Sequence, residues 1–335
     1  MPGIAEEWER GRERSRHGGP MSARWLFCVL LLGLVGCRPG AEAVVWSEPL
    51  VAASDGGVLT LTKVAARQGD VVEQQCASTR LAKVSATFDV RTVERGSSRL
   101  CAATQAGNIR TGLDEQGRLV FADMSDRGRL KVSLPGEDGT TVLMDGCVEN
   151  DPVLAGDSPS RRVAIYLAGC ERDRGSWVHI LQLAPDFRSV MGEDSVRMES
   201  PPRGMSFGPQ ANSLLAHVRE GDVDRIVILD LVTHNARVVT SGRLPASQSR
   251  AAAFVFVRDE DNAPNDWLLM FSDSVGATAR AVLSRRLARV RIGDSNAVNL
   301  SAPIMSLDSQ SIWVGFGGKV LRVQLTTGDV DVVAP

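Results

Sequence analysis

An acidic stretch in the second half of the chain offers oxygen atoms that could bind a cation. Asp259, Asp261 and Asp266 lie close together in the sequence, and carboxylate oxygens are the preferred ligands of Ca²⁺. The stretch lacks the Gly and the terminal Glu of an EF-hand loop, and it contains Pro264. These aspartates are candidates for a metal site, and a solvated loop is the favoured interpretation.

The histidines do not form a recognisable catalytic pattern. His179 and His217 fall in strand-like runs, and His234 falls in a turn. The sequence contains no HExxH, GxSxG, Walker-type or GxGxxG motif, and no spacing defines a Ser/His/Asp trio. We therefore predict structural or surface roles for the histidines, no catalytic residue, no cofactor and a protein that is not an enzyme.

Four cysteines beyond the N-terminal region form an even set, which in an exported chain indicates disulfides. The favoured pairing is Cys76 with Cys101 and Cys147 with Cys170, because the first cysteine of each pair follows a strand-like run and the second lies in or ends the next run. Buried free thiols are the alternative. Zinc is disfavoured, since no CxxC or Cys–His spacing occurs.

The N-terminal region has the pattern of a secretory signal. Residues 1–20 are polar and charged, and they are either an extended leader or an upstream misreading of the gene that starts at Met21. Arg24 precedes an apolar run over residues 25–36, which is too short for a bilayer core that needs about 20 residues. Small residues and Cys37 follow the run.

Residues 34–37 read Leu-Val-Gly-Cys, which resembles the lipobox of bacterial lipoproteins. The resemblance implies a signal peptide over residues 21–36, cleavage before Cys37, and thioether diacylation and N-acylation of that cysteine with chains such as palmitate. Several acyl chains on one residue hold a protein on a membrane stably. Arg38 in the next position implies the outer membrane under the enterobacterial sorting rule.

Composition excludes several classes of protein. The chain has 335 residues, 38 Lys+Arg against 40 Asp+Glu, and 43% hydrophobic residues. The apolar fraction is too high for a disordered chain, and the near-neutral charge argues against nucleic-acid binding. Removal of residues 1–36 leaves 299 residues with a net charge of −3, without another apolar run of membrane-spanning length.

After residue 44 the sequence consists of short strand-like runs separated by Gly, Asp, Asn and Pro turns. The runs group into units whose first strands start near residues 50, 118, 162, 213, 267 and 312. Later units are 44–54 residues apart, which is close to the period of four-stranded propeller blades. The strand pattern is less regular between residues 249 and 292. Residues 287–292 are interpreted as a further strand there, and Arg285 and Arg286 as residues of an exposed strand edge or rim.

This pattern resembles the bacterial envelope β-propellers of the TolB-like, PQQ-repeat and WD40-like kind. The resemblance implies an all-β fold over residues 47–335, after a lipidated linker over residues 37–46, with six four-stranded blades and seven as the alternative. Two β-sandwich domains are the competing interpretation. Trp177, Trp267 and Trp313 lie in strands of three units, and we expect them to pack between blades.

The combination of lipobox and propeller-like period, without a catalytic motif, predicts a lipid-anchored protein of the bacterial cell envelope. It contacts the membrane through its lipid and binds an unidentified envelope protein through loops at one rim, as a scaffold. One alternative is a small-molecule-binding or hydrolytic propeller that uses the central channel, with converging carboxylates, His or Arg at one mouth. A structural surface lipoprotein is the third possibility.

Overall fold

Six antiparallel sheets of four strands each surround a central channel in the described part of the chain. The computed structural model describes residues 44–64, 79–97, 100, 110–123, 126, 128–137, 139–145, 152–157, 159–166, 176–248, 251–260 and 263–335. In every sheet the strands follow one another in chain order. The sheets are the blades of a β-propeller, which confirms the six-blade prediction.

The first three blades are built from consecutive strands of the N-terminal half. Blade 1 contains β1 (Val44–Ala52), β2 (Val58–Val64), β3 (Thr79–Val84) and β4 (Val90–Arg95). Blade 2 contains β5 (Arg110–Gly112), β6 (Leu119–Asp123), β7 (Arg129–Ser133) and β8 (Thr140–Met144). Blade 3 contains β9 (Val153–Asp157), β10 (Arg162–Tyr166), β11 (Ser176–Leu183) and β12 (Val190–Met198).

The last three blades continue in the same order. Blade 4 contains β13 (Pro202–Phe207), β14 (Ser213–Glu220), β15 (Val223–Asp230) and β16 (Ala236–Ser241). Blade 5 contains β17 (Arg243–Ser247), β18 (Phe254–Glu260), β19 (Ala263–Ser272) and β20 (Arg280–Ser284). Blade 6 contains β21 (Ile304–Met305), β22 (Ser311–Phe316), β23 (Lys319–Gln324) and β24 (Val330–Val333).

The apolar core lies between blades. The buried hydrophobic residues of the described part form six clusters, and each cluster draws its strands from two neighbouring blades. Central strands such as β22 are buried at every position because a blade covers each of their faces, whereas the outermost strands β4 and β16 are largely exposed. Two β-sandwich domains would not give this ring of interfaces, so the competing interpretation is wrong.

The innermost strands close the ring. β1, β5, β9, β13, β17 and β21 each contact the next, and β21 contacts β1. Because each blade uses consecutive strands only, side chains and not a shared sheet join blade 6 to blade 1. At this junction the Ser47 hydroxyl donates to the Gly318 carbonyl at 3.1 Å, and a Cβ on Gly315 would lie 2.0 Å from the Ser47 carbonyl oxygen.

Aromatic residues reinforce the interfaces between blades. Trp267 of blade 5 meets Phe316 of blade 6 edge-to-face, with ring centres 5.4 Å apart. Trp313 of blade 6 is fully buried and meets Phe88, which follows β3 of blade 1, at 6.5 Å. These two tryptophans pack between blades, as the sequence predicts. Trp177 is half-buried on β11.

Residues 285–292 form a helix and not a strand. The helix α1 (Arg285–Ile292) starts after Ser284, whose hydroxyl accepts from the Leu287 amide, and ends at Gly293 with a positive φ of 71°. Arg285, Ala288 and Ile292 make its buried side, so Arg285 is not the exposed edge residue that the sequence suggests. The two caps decide the conformation, since they satisfy backbone groups at both ends of a short helix.

Candidate functional site: the channel mouth

A cavity of about 530 Å³ occupies one end of the central channel. It is lined by the last residues of the six innermost strands and by the turns that lead from them to the second strands. We call this end of the propeller the mouth face. The opposite end, which carries α1 and the turn at Gly317 and Gly318, is the helix face.

The mouth has a charged half and a neutral half. The charged lining residues all belong to blades 1–3, namely Glu48, Asp114, Glu115, Arg118, Asp157 and Arg161. Blades 4–6 contribute only neutral described residues, such as Ser206, Pro245, Gln248, Pro303 and Met305. One side of the cavity is therefore charged and the opposite side is uncharged.

Glu115 is the most strongly held carboxylate of the mouth. The hydroxyl and the backbone amide of Ser54 donate to it at 2.6 and 3.0 Å, and the Lys83 ammonium donates at 2.9 Å. The Ser54 hydroxyl, followed by Lys83, lowers the pKa of Glu115 to about 2. The hydrogen bond to Glu115 in turn raises the pKa of Lys83, so this contact between blades 1 and 2 is fully ionised at neutral pH.

The two aspartates of the mouth are also paired within their own turns. Asp114 accepts from the guanidinium of Arg118, which stacks on Phe187 of blade 3 at 4.5 Å. Asp157 is buried, and its carboxylate accepts from Ser160 and, at 3.3 Å, from Arg162. Each of these two aspartates is thus held in an ion pair with an arginine of the following strand or turn.

The neutral half is held by uncharged hydrogen bonds between blades. The Ser247 amide donates to the Ser206 hydroxyl at 3.0 Å, and the Gln248 amide group donates to the Met305 carbonyl at 2.6 Å. Met205, Phe207, Ala246 and Met305 are the buried apolar side chains that complete the lining of this half. This half presents an apolar wall with a few hydrogen-bonding groups.

Arg161 is the charged lining residue whose guanidinium has no ion-pair partner within the described ranges. It occupies the turn between β9 and β10 with a φ of 54°, and its carbonyl accepts from the Leu183 amide at 2.9 Å. This backbone bond fixes the turn. Among the described lining residues, Arg161 therefore places a cation without an ion-pair partner next to the neutral half of the mouth.

The structure scatters the residues that the sequence singles out. Asp259 on β18 pairs with Arg243 at 2.9 Å, and Asp266 on β19 lies 3.7 Å from Arg285. Asp261 lies outside the described residues. Within the described residues no group of three or more His, Cys, Asp or Glu side chains could hold a metal ion, and the calcium site stays a prediction.

Five cysteines with predicted roles lie outside the described residues. They are Cys37 and the candidates for disulfides, Cys76, Cys101, Cys147 and Cys170. The lipid attachment and the pairing therefore stay predictions.

Each of the three described histidines lies near a carboxylate, away from the channel cavity. His179 hydrogen-bonds Glu193 at 2.9 Å, and the buried His217 hydrogen-bonds Asp224 at 3.0 Å. His234 lies 3.5 Å from Asp194. None of the three lines the mouth, and their structural or surface roles stay a prediction.

Sequence reasoning missed the mouth residues because they come from turns of different blades. A signal was present in the first turns of blades 2 and 3, where an aspartate precedes an arginine by four or five positions, as in Asp114 with Arg118 and Asp157 with Arg162. That spacing marks a turn closed by an ion pair. It does not reveal that ring closure brings the turns together.

Comparison with known proteins gives the architecture and no family. No family model matches the chain, and no curated protein matches it. Among solved structures, a putative TolB from Agrobacterium tumefaciens is similar with a TM-score of 0.50 and 11% identity, over 71% of this chain and 80% of that one. The chain is a six-bladed β-propeller.

Two further solved structures have similar folds. A gluconolactonase from Xanthomonas campestris has a TM-score of 0.49 and 12% identity, over 87% of each chain. A chain of the nidogen/laminin complex has a TM-score of 0.48 and 10% identity, over 86% of this chain and 94% of that one. At such identities the likenesses concern the fold alone. No helix among the described residues is long and apolar enough to cross a membrane.

Proposed function

We propose that the chain is a lipid-anchored binding propeller of the bacterial cell envelope that receives a short segment of a partner protein in its channel mouth and performs no catalysis. The observation that carries the proposal is the cavity of about 530 Å³ that all six innermost strands line. A site to which every blade contributes is rigid, and it is completed only when the ring is closed. Rigid scaffolds that present a concave site at strand ends are common binding platforms.

The chemistry of the mouth fits a peptide segment. An extended segment carries apolar side chains together with backbone carbonyls and amides. The neutral half supplies buried apolar residues such as Met205 and Met305, and Arg161 supplies a cation for a carbonyl or carboxylate of the segment. We therefore expect the bound segment to contain an apolar residue next to an acidic residue or a C-terminal carboxylate.

The state of the carboxylates favours binding over catalysis. A general acid or base works best with a pKa near the operating pH, whereas Ser54 and Lys83 hold the pKa of Glu115 at about 2. Asp114 and Asp157 are each bound to an arginine. Among the described lining residues there is also no histidine that could activate Ser206 or Ser247.

The lipid anchor is consistent with an accessible mouth. The described chain starts with β1 at Val44, seven positions after Cys37. β1 runs from the helix face towards the mouth face, so its first residues and the mouth lie at opposite ends of the channel. A membrane anchor at Cys37 would leave the mouth directed away from the bilayer.

Site-specific photo-crosslinking in the native envelope tests the proposal. A benzoylphenylalanine is placed at Gln116, an exposed lining residue of the mouth, and a matched probe is placed at Asp222, an exposed turn residue on the helix face. We expect a defined protein adduct from Gln116, none from Asp222, and loss of the Gln116 adduct when Arg161→Glu is added. Equal adducts from both probes, or none from either, would overturn the proposal.

A small polar ligand is the second candidate, and the size of the cavity favours it. A volume of about 530 Å³ lies within the range of small-molecule sites. Native mass spectrometry of the purified chain and of Gln116→Trp, which narrows the mouth, distinguishes the candidates. A retained mass of a few hundred daltons that the variant lacks, together with no protein adduct in the crosslinking experiment, would assign the mouth to a small molecule.

A further inference from the structure

The helix α1 is a short basic helix between blades 5 and 6. Four of its eight residues are arginines. Arg285 and Arg289 both donate to the Ala297 carbonyl, at 3.5 and 3.1 Å. These two bonds bind the loop that follows the helix back onto it, so residues 285–298 form one structural unit.

This unit exposes large apolar side chains beside arginines. Val290 is 72% exposed, Val298 61% and Leu287 37%. Arg286 and Arg291 are exposed on the helix beside them, and within the described residues neither has an ion-pair partner. We call Arg286, Leu287, Val290, Arg291 and Val298 the basic apolar patch.

The acidic groups around the patch do not neutralise it. Asp266 faces Arg285 at 3.7 Å, on the buried side of the helix. Asp331 of the neighbouring β24 binds Arg322 at 2.9 Å. Asp294 is exposed just beyond the end of the helix, and the exposed Asp329 lines a surface depression together with Arg291. These two negative charges stand against the three helix arginines other than Arg285, so the patch keeps an excess of positive charge.

The patch lies on the helix face, next to the start of the described chain. A Cβ on Gly317 would meet Ile292 of α1 at 2.7 Å, and the Lys319 ammonium donates to the Ile292 carbonyl at 2.9 Å. The neighbouring Gly318 accepts from Ser47 near the start of β1. An extended chain of the seven residue steps from Cys37 to Val44 spans at most about 25 Å.

We propose that the basic apolar patch rests on an anionic membrane surface, with Leu287, Val290 and Val298 at the headgroup boundary and Arg286 and Arg291 on lipid phosphates. Apolar side chains flanked by arginines are the composition of interfacial helices, and each basic residue near an anionic surface contributes separately. The orientation relative to the bilayer rests on the proposed anchor at Cys37. The proposed membrane contact of the patch does not depend on the anchor, because the arginines and the exposed apolar side chains are part of the propeller.

Vesicle sedimentation of unlipidated protein tests this inference independently of the anchor. The protein is the chain from residue 37 onward with Cys37→Ser, which retains the entire compact unit of residues 43–335 and lacks the apolar segment 25–36. The vesicles are phosphatidylcholine alone or phosphatidylcholine with about a third phosphatidylglycerol. We expect binding to the anionic vesicles only, weakened by salt.

Two double variants separate the contribution of the arginines to vesicle binding from that of the apolar side chains. Arg286→Glu with Arg291→Glu should weaken binding to the anionic vesicles by at least about tenfold, and Val290→Ser with Val298→Ser by about fivefold. The matched control is Val232→Ser with Arg237→Glu, which changes a valine that is 70% exposed and an exposed arginine at the other end of blade 4. This control should bind as the parent does, and all variants should retain the parent's melting temperature.

The outcomes separate this inference from the proposed function. Equal binding to both vesicles, or an equal loss in the control, would overturn the inference. Binding to polyglutamate but not to vesicles, lost with Arg286→Glu and Arg291→Glu, would overturn it and assign the patch to an acidic protein. A failed lipidation of Cys37 in cells would leave the vesicle result unchanged.

Discussion

The guanidinium of Arg322 lies 4.1 Å from the centre of the Phe88 ring, and this contact joins the last blade to the first. The same side chain donates to the Ala86 carbonyl at 2.8 Å and binds Asp331 at 2.9 Å. Among the described residues, the apolar cluster at this junction has five buried members, Val58, Val84, Trp313, Val320 and Val333. The cluster between blades 5 and 6 has eighteen described members, so Arg322 supports an interface whose described apolar cluster is small.

We expect Arg322→Lys to lower the free energy of unfolding by about 2 kcal/mol, although the charge is retained. A lysine has no planar group that could stack on Phe88 and at the same time donate hydrogen bonds to a carbonyl and a carboxylate. Urea unfolding measures the difference. Arg237→Lys, at an exposed position on β16, is the control and should change stability by less than about 0.5 kcal/mol. Equal stability of the two variants would show that Arg322 does not hold the junction.

The close approach of Gly315 to β1 predicts a second sensitive position. A Cβ there would lie 2.0 Å from the Ser47 carbonyl oxygen, so Gly315→Ala must push blade 6 away from blade 1. We expect a loss of about 3 kcal/mol in the free energy of unfolding, since overpacking against backbone is not relieved by a rotamer change.

The control for Gly315→Ala is Gly139→Ala. A Cβ on Gly139 would meet nothing within 4 Å, and the position is exposed. Thermal melting of both variants should show a clear decrease for Gly315→Ala alone. Similar melting temperatures would mean that the junction has room that the structure does not indicate.

The sequence predicts the strands that are apolar at most positions, but in blades 2–6 it takes a second or third strand for the first and misses the innermost strand. β14, β15 and β22 are recognisable in the sequence because neighbouring blades cover both of their faces, so apolar residues occupy most of their positions. The innermost β5 has three residues and β21 has two, and β17 contains Pro245. Such strands show little alternation of apolar and polar residues, so the sequence gives no clear signal for them. They become recognisable only as the inner strands of the closed ring.

The candidate site could not be predicted for a related reason. Glu115, Asp157 and Gln248 lie in or next to the first turns of three blades, and each of these segments by itself has an ordinary polar sequence. Their convergence depends on the closed ring. The helix α1 was missed because its sequence ends Arg-Val-Arg-Ile, which alternates as a strand does, while its caps at Ser284 and Gly293 specify a helix.

The low pKa of Glu115 predicts a pH-dependent contribution to stability. The folded pKa of about 2 lies below the ordinary value of 4.5, so the ionised form is stabilised by folding. The contribution is complete above about pH 4.5 and is lost as the pH falls from 4.5 to 2. For this partly exposed group it amounts to about 1 kcal/mol.

Glu115→Gln tests this contribution in urea unfolding at several pH values. The wild type should be more stable than the variant at pH 7, and the difference should shrink below pH 4.5. Glu199→Gln, at an exposed glutamate, controls for the loss of a surface charge. A difference that stays constant from pH 7 to pH 2 would show that the ionised Glu115 is not what Ser54 and Lys83 stabilise.

The lipobox-like sequence before Cys37 predicts a covalent anchor that a single substitution removes. In cells fed labelled palmitate, the full chain should carry label and sediment with membranes, because several acyl chains on one residue give stable anchoring. Cys37→Ser should carry no label, and the 12-residue apolar run should then remain uncleaved or be cleaved elsewhere. Cys28→Ser, inside that run, is the matched control and should be labelled normally. If Cys37→Ser retained the label, the anchor would lie at another residue, and the orientation that places the channel mouth away from the bilayer would lose its support.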